Sequence, residues 1–194
     1  KSLKRMTAQP YEKQVRLLLG VLPCVSKEPC FALHGGTAIN LFVRDMPRLS
    51  VDIDLTYLPL EERSLAMKNI GDALARIKER IENATPGANV AHTAEKEKLF
   101  VRAGGAEIKV EVNLVGRGTI AEAVRMQLCE NVQKKYELSA FMKVVPFGQL
   151  YGGKICAALD RQHPRDLFDV KILLDTEGFP ESVRQGFLLC LLCG

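Results

Sequence analysis

The stretch from Phe31 to Thr56, FALHGGTAINLFVRDMPRLSVDIDLT, limits the possible folds more than any other part of the chain. It reads as a short apolar strand, a glycine turn, a helix, a loop, and a second strand bearing two carboxylates two residues apart. Side chains alternate along a strand, so Val51, Ile53 and Leu55 point one way and Asp52, Asp54 and Thr56 the other. Two acids so placed repel each other unless a cation sits between them. A divalent metal is the economical explanation, and the turn at Gly35, Gly36 and Thr37 is a natural seat for a phosphate because it opens a helix. The two glycines let the backbone approach an anion, and Thr37 offers a hydroxyl. Arg48 and Ser50 precede the acids in the loop, where a guanidinium and a hydroxyl reach phosphates.

Further along, the periodicity changes in a regular way. Val15, Leu18, Leu19 and Leu22 recur at helical spacing after Pro10, which opens a first helix. Phe31 to Leu33 is a strand, Thr37 to Arg44 a helix stopped by Pro47, and Asp45 to Ser50 a loop. Ile70, Leu74, Ile77 and Ile81 line one face of a long helix that starts after Pro59 and ends near Thr85 to Gly87. Leu99 to Arg102 and Glu107 to Val115 form a hairpin around Gly104 and Gly105. In the second of these strands Ile108, Val110, Val112 and Leu114 share one face, and Lys109, Glu111 and Asn113 the other. After Thr119 the pattern is mainly helical, with Gly148 to Asp160, Pro164 to Asp175 and Pro180 to Cys193 as helices and Phe141 to Val145 as the further strand. The class is therefore α+β. A sheet-bearing domain over 1–118 is followed by a mainly helical domain over 119–194.

Composition excludes several alternatives. With 47% hydrophobic and 26% charged residues in 194 positions, the chain is globular and not disordered. A net charge of +4 permits a polyanionic partner without requiring one. The six cysteines, Cys24, Cys30, Cys129, Cys156, Cys190 and Cys193, sit in apolar contexts, as reduced structural thiols of a cytoplasmic protein do. Cys190 and Cys193 have redox or zinc spacing, but inside FLLCLLCG they read as buried helix residues. No run approaches the ~20 apolar residues of a membrane span, and KSLKRMTAQP lacks the hydrophobic segment of a signal peptide. The chain starts without Met and stops in an apolar stretch, which reads as a trimmed segment or as one continuing past Gly194.

Phosphoryl or nucleotidyl transfer needs acids for metal, donors for phosphate and a shaped acceptor pocket. Glu111, on the polar face of a different strand, is the natural third acid beside Asp52 and Asp54. Three carboxylates on neighbouring strands can hold two Mg²⁺ ions roughly 3.5 to 4 Å apart. In QLYGGKICAALDRQHPRDLFDV, Lys154, Ala157, Ala158 and Arg161 fall at helical spacing. Lys154 is a good point charge for a triphosphate. Arg161, Arg165, Asp166 and Asp169 allow two readings, a part of the site or an ion-pair network tying two helices. His34 reads as a pocket wall beside the glycines, while His92 and His163 sit in loops with no zinc spacing.

The runs HGGTAINLF and RLSVDIDL, followed by Lys154 and by Arg165-Asp166-x-x-Asp169, resemble the nucleotidyltransferase toxins of the AbiEii type. These are a branch of the polymerase-beta-like nucleotidyltransferase superfamily. The resemblance runs from about Tyr11 to Leu174. It implies a small mixed-sheet nucleotidyltransferase fold with flanking helices. It further implies that Asp52 and Asp54 ligate Mg²⁺ or Mn²⁺, that Gly36, Thr37 and Ser50 hold nucleotide phosphates, and that Lys154 binds the triphosphate. Asp166 becomes a further active-site acid, and Glu111 matches the third strand acid.

The expected function is metal-dependent transfer of NMP from an NTP to an acceptor hydroxyl. The resemblance implies RNA, with tRNA foremost, as the acceptor, and a protein antitoxin as partner in a toxin-antitoxin or phage-defence pair. Two alternatives keep the fold. One is a nucleotide- or RNA-binding regulator without turnover, and the other transfers the nucleotide to a protein or a small molecule.

Overall fold

In the computed structural model, residues 2–193 are described, with side chains from Tyr11 to Cys193. Seven strands form one mixed sheet in the order β3-β4-β5-β2-β1-β7-β6. The central strands are β1 (Phe31–His34), β2 (Asp52–Tyr57) and β5 (Ala106–Asn113). β1 runs antiparallel to β2, and β2 runs parallel to β5. A parallel neighbour demands a crossover. α3 (Arg63–Ala84) supplies it, followed by the edge hairpin of β3 (Asn89–Thr93) and β4 (Lys98–Ala103).

One face of the sheet is dry. Ile53 and Leu55 of β2, Val110 and Val112 of β5, and Leu99 and Val101 of β4 are buried in a single core. Over them lie α1 (Ser2–Val25), through Val15, Leu18, Leu19 and Leu22, and α3, through Ile70, Leu74, Ile77 and Ile81. The period-2 strands and the period-3.6 helices agree on which face is apolar, so the register cannot slip without turning Asp52 and Asp54 into this core. The opposite face keeps the acids.

α1 begins at Ser2, ahead of Pro10, where the sequence places its start. The helix opened by the glycines also begins earlier than expected, as α2 (Gly35–Ala38), and continues as a π-helical turn over Ile39–Val43. Among the strands and α-helices, three short ones escape the sequence reading: β3, β6 (Val124–Gln127) and α4 (Glu130–Tyr136). β3 and β6 are edge strands with one buried residue between them, Val90, so they carry little apolar alternation. α4 has seven residues and no side-chain cap at Cys129.

Beyond Gly118 the chain returns to the sheet before it turns helical. β7 (Phe141–Val144) pairs parallel with β1, Leu33 opposite Val144, and β6 closes the edge. α5 (Phe147–Arg161), α6 (Pro164–Thr176) and α7 (Glu181–Cys193) then pack together. Arg44, at the end of the π-helical turn, ties them to the first half. Its guanidinium donates to Tyr151 Oη at 2.8 Å and to Glu177 Oε1 at 2.8 Å.

α5 and α7 cross in backbone contact. A Cβ on Gly148 or Gly152 would overlap the backbone of Ser182 or Gly186, and one on Gly186 would overlap Gly148. Gly152→Ala or Gly186→Ala is therefore expected to cost at least ~1–3 kcal/mol, the usual penalty of overpacking. Thermal melting and limited proteolysis check this, with α7 as the first segment cut. Full wild-type protease resistance would contradict it.

Candidate active site

The cleft opens on the acid face, between β2 and the helices α5 and α6. It has a volume of about 860 Å³. Its sheet wall carries Asp52 and Asp54, its loop wall Gly35, Gly36, Arg48 and Ser50, and its helical wall Lys154, Arg161, Arg165 and Asp166. Nearly all the sequence-predicted site residues meet here although 114 positions separate Asp52 from Asp166. Two do not line this cleft. Thr37 is fully buried behind it, and Glu111 lines a smaller groove of about 450 Å³ alongside.

Each placement has a local cause. Gly35 has φ +72°, and a Cβ there would overlap the Asp54 carboxylate, so only glycine fits this start of α2. At Gly36 a Cβ would sit 2.9 Å from Ser50 Oγ and 3.0 Å from Arg48 Nη2, which brings the loop against the turn. Thr37 donates its hydroxyl hydrogen to the Asp52 backbone carbonyl and lies 3.0 Å from Ser50 Oγ. Thr37 thus fixes the start of the acid strand. His34 lines both clefts, with Nδ1 3.1 Å from Thr56 Oγ1. Burial lowers the affinity of its ring for a proton, against the pull of Asp54.

The helical wall is organised by buried charge. Asp169 is fully buried and receives Arg48 Nε at 2.8 Å, with Arg48 Nη2 on its other oxygen. Lys154 Nζ lies 3.4 Å from Asp169 Oδ2 and donates to Asp166 Oδ1 at 2.7 Å. Arg161 Nε completes the chain on Asp166 Oδ2 at 2.6 Å. Asn40 adds a hydrogen bond to Asp169 at 3.3 Å and one to the Gly36 carbonyl at 2.9 Å. The two readings of this stretch therefore coexist. Asp169 lies inside the network, while Lys154, Arg161 and Asp166 belong to it and also face the cleft. Three cations against two carboxylates leave an excess positive charge, which suits a polyanion. Arg165 stands apart at the cleft mouth, 3.5 Å from Tyr11 Oη.

Burial pushes the Asp166 carboxyl up, but hydrogen bonds and charge from Arg161 and Lys154 overcome it and hold it at about 2. Because the folded value lies below the unfolded one, this stabilisation is present above about pH 4 and is lost as pH falls toward 2. Asp166→Asn is expected to flatten the acid limb of the stability profile in that window. Chemical denaturation across pH 2 to 6 provides the check, and an unchanged acid limb would contradict it.

Asp52 behaves in the opposite way. Burial raises its pKa, and the like charges of Asp54 and Glu111 add to this against Lys109 and Arg165. Asp52 pairs with Lys109 across the β2–β5 register, and Asp54 with Glu111. Glu111 is itself bound by Lys98 and by Lys109, the latter at 2.7 Å. Burial pushes the Glu111 carboxyl up, yet these two lysines hold it below the ordinary carboxylate range. The sequence reading missed both lysines and Asn40 as neighbours of the site. Lys109 was legible in principle, since it alternates with Glu111 on the polar face of the same strand.

A mixed sheet that presents two acids two residues apart, backed by a glycine-initiated helix and faced by a lysine from a separate helix, is the arrangement expected of the nucleotidyltransferase class. The fold is shared with the nucleotidyltransferase toxin MenT4 from Mycobacterium tuberculosis, at a TM-score of 0.61 and 18% identity, over 81% of this chain and 56% of that one. The chain belongs to the AbiEii family, the nucleotidyl transferase toxins of type IV toxin-antitoxin systems, whose sequence model matches residues 16–191. The matched region spans little more than half of the solved toxin's length. A search of curated proteins returned no match.

Proposed function

We propose that this chain carries the transfer site of a toxin that moves NMP from an NTP to an acceptor hydroxyl on RNA, with tRNA as the favoured acceptor. The carrying observation is that Asp52 and Asp54 line one cleft with Gly36, Arg48, Ser50 and Lys154, from both sides. The donor set fits a hard divalent cation, because Asp52 and Asp54 offer only carboxylate oxygens on one strand face and Glu111 stands beside Asp54. Asp52 and Asp54, with Glu111 as third acid, would hold Mg²⁺ or Mn²⁺, which supplies charge for the triphosphate and lowers the pKa of the acceptor hydroxyl.

The chain's own residues do the rest. Lys154, Arg161 and Arg165 neutralise the NTP phosphates and orient them, and Lys154 cannot drift because two carboxylates hold it. Gly36 and Ser50 bring small hydrogen-bonding groups to the same wall. The smaller groove meets the large cleft at His34, Asp54, Asn113 and Val115. An acceptor entering by the groove reaches Asp54 while the nucleotide fills the cleft. A protein antitoxin is the partner that family membership supports. The cytoplasm, where NTP and tRNA occur together, is the proposed site of action, and no helix among the described residues is long and apolar enough to cross a membrane.

Incubation with Mg²⁺, each labelled NTP and total RNA tests this reading. Label entering RNA with wild type and not with Asp52→Ala supports it. NTP binding without pyrophosphate release points to the regulatory alternative, and label on protein or small molecules to the other acceptors.

A further inference from the structure

We propose that Lys98 and Lys109 are resident counter-ions of Glu111 that a divalent cation must displace, so that they set the cation affinity of the cleft. This rests on the reading of Asp52 and Asp54 as metal ligands. β5 places Lys109 and Glu111 two residues apart on the acid face, with Lys109 beside Asp52 and Glu111 beside Asp54. On the other side of β5, β4 sets Lys98 opposite Glu111. Lys98 contacts Glu111 Oε1, and Lys109 contacts Oε2 at 2.7 Å. Each carboxylate oxygen has a cation of its own.

Adjacent strands lie ~4.8 Å apart, so Asp52, Asp54 and Glu111 without counter-ions would place three like charges in a small space. Two ammonium groups offset most of that repulsion in the metal-free protein. The same contacts keep Glu111 from joining the other acids. Among the described residues, no three His, Cys, Asp or Glu side chains close up into a metal-binding group. Exchange does not require the core to open, since the side chains of Lys98, Lys109 and Glu111 are 24%, 31% and 28% exposed. A released ammonium returns to water, and Lys98 already lines the smaller groove beside Asp54.

Mn²⁺ binding to the nucleotide-free chain, read by electron paramagnetic resonance, tests the inference. Lys98→Met and Lys109→Met are each expected to tighten Mn²⁺ roughly two- to fivefold, the scale of a partly exposed ion pair. Glu111→Gln weakens binding, and adding Lys98→Met to Glu111→Gln produces no further change, because the lysine acts through that carboxylate. Thermal melting of each variant confirms that it is folded, with Lys98→Gln as a second probe. Wild-type affinity in both Lys98 variants overturns the inference. So does tightening that persists undiminished beside Glu111→Gln, which would assign Lys98 a general effect of charge. If Asp52→Asn abolishes Mn²⁺ binding while the lysine variants leave it unchanged, the counter-ion inference fails and the transferase reading stands. No Mn²⁺ binding by the nucleotide-free wild type overturns the counter-ion inference, while label transfer into RNA decides the transferase reading separately.

Discussion

Asp52→Asn is expected to remove nucleotidyl transfer and, in the same variant, to raise the melting temperature of the metal-free protein. The loss follows from the position of Asp52, on the sheet wall of the cleft that Lys154 faces. On the proposed reading Asp52 holds the metal, a contribution of several kcal/mol to the transition state, so its neutral isostere should lower transfer ~10³-fold or more. The gain in stability has a separate origin. Burial, reinforced by Asp54 and Glu111, raises the pKa of Asp52 above its ordinary value. A carboxyl whose folded pKa is raised is less favourable when ionised in the fold than in the unfolded chain. Its cost is therefore present at neutral pH and disappears below the unfolded pKa, near ~4. Asparagine removes the charge and its cost. Activity and stability moving in opposite directions mark a carboxylate retained for function. Label transfer and a thermal melt in chelator report the two effects. A variant that loses activity by melting lower would instead mark Asp52 as structural.

Asp169→Ala is expected to be the most destabilising single change in the helical half. Asp169 has no solvent exposure and holds Arg48, Lys154 and Asn40 together. Truncation leaves the largely buried Arg48 without its carboxylate and Lys154 with Asp166 alone, and breaking a buried pair on one side typically costs ~3–5 kcal/mol. For a chain of 194 residues this corresponds to a fall of roughly 10 °C in melting temperature. Asp175 is the control. Its ion pair with Lys171 is formed by side chains that are 59% and 70% exposed, and Asp175→Ala should cost under ~1 kcal/mol. Similar melting temperatures for the two variants would show that the buried network does not hold the cleft together.

Much of the site was legible because its groups lie on regular spacings. Alternation in VDIDL separates Asp52 and Asp54 from Ile53 and Leu55, and the sheet keeps that separation. Helical spacing brings Lys154 and Arg161 to one wall. Glu111 was placed on its face by IKVEVN, but its two lysine partners depend on how β4, β5 and β2 line up, which no local pattern encodes. Thr37 shows where local spacing stops deciding a residue's surroundings. Its type and position suit a phosphate, yet the turn closes tightly enough that its hydroxyl is used on the Asp52 carbonyl. The short edge strands β3 and β6 were illegible because strands that bury hardly any side chain need no apolar period.

The sequence by itself determined the strand-turn-helix-strand frame around Gly35 and Asp52 and the apolar faces that bury one side of the sheet. These are local properties, decided by backbone sterics and by side-chain periods of 2 and 3.6 residues. Only the tertiary structure decided that Asp169 joins Arg48 to Lys154, that Glu111 is shared by two lysines, and that β7 returns beside β1. Charge pairing and strand pairing act through space between residues far apart in the chain, so their partners exist only once the sheet and helices have closed around the cleft.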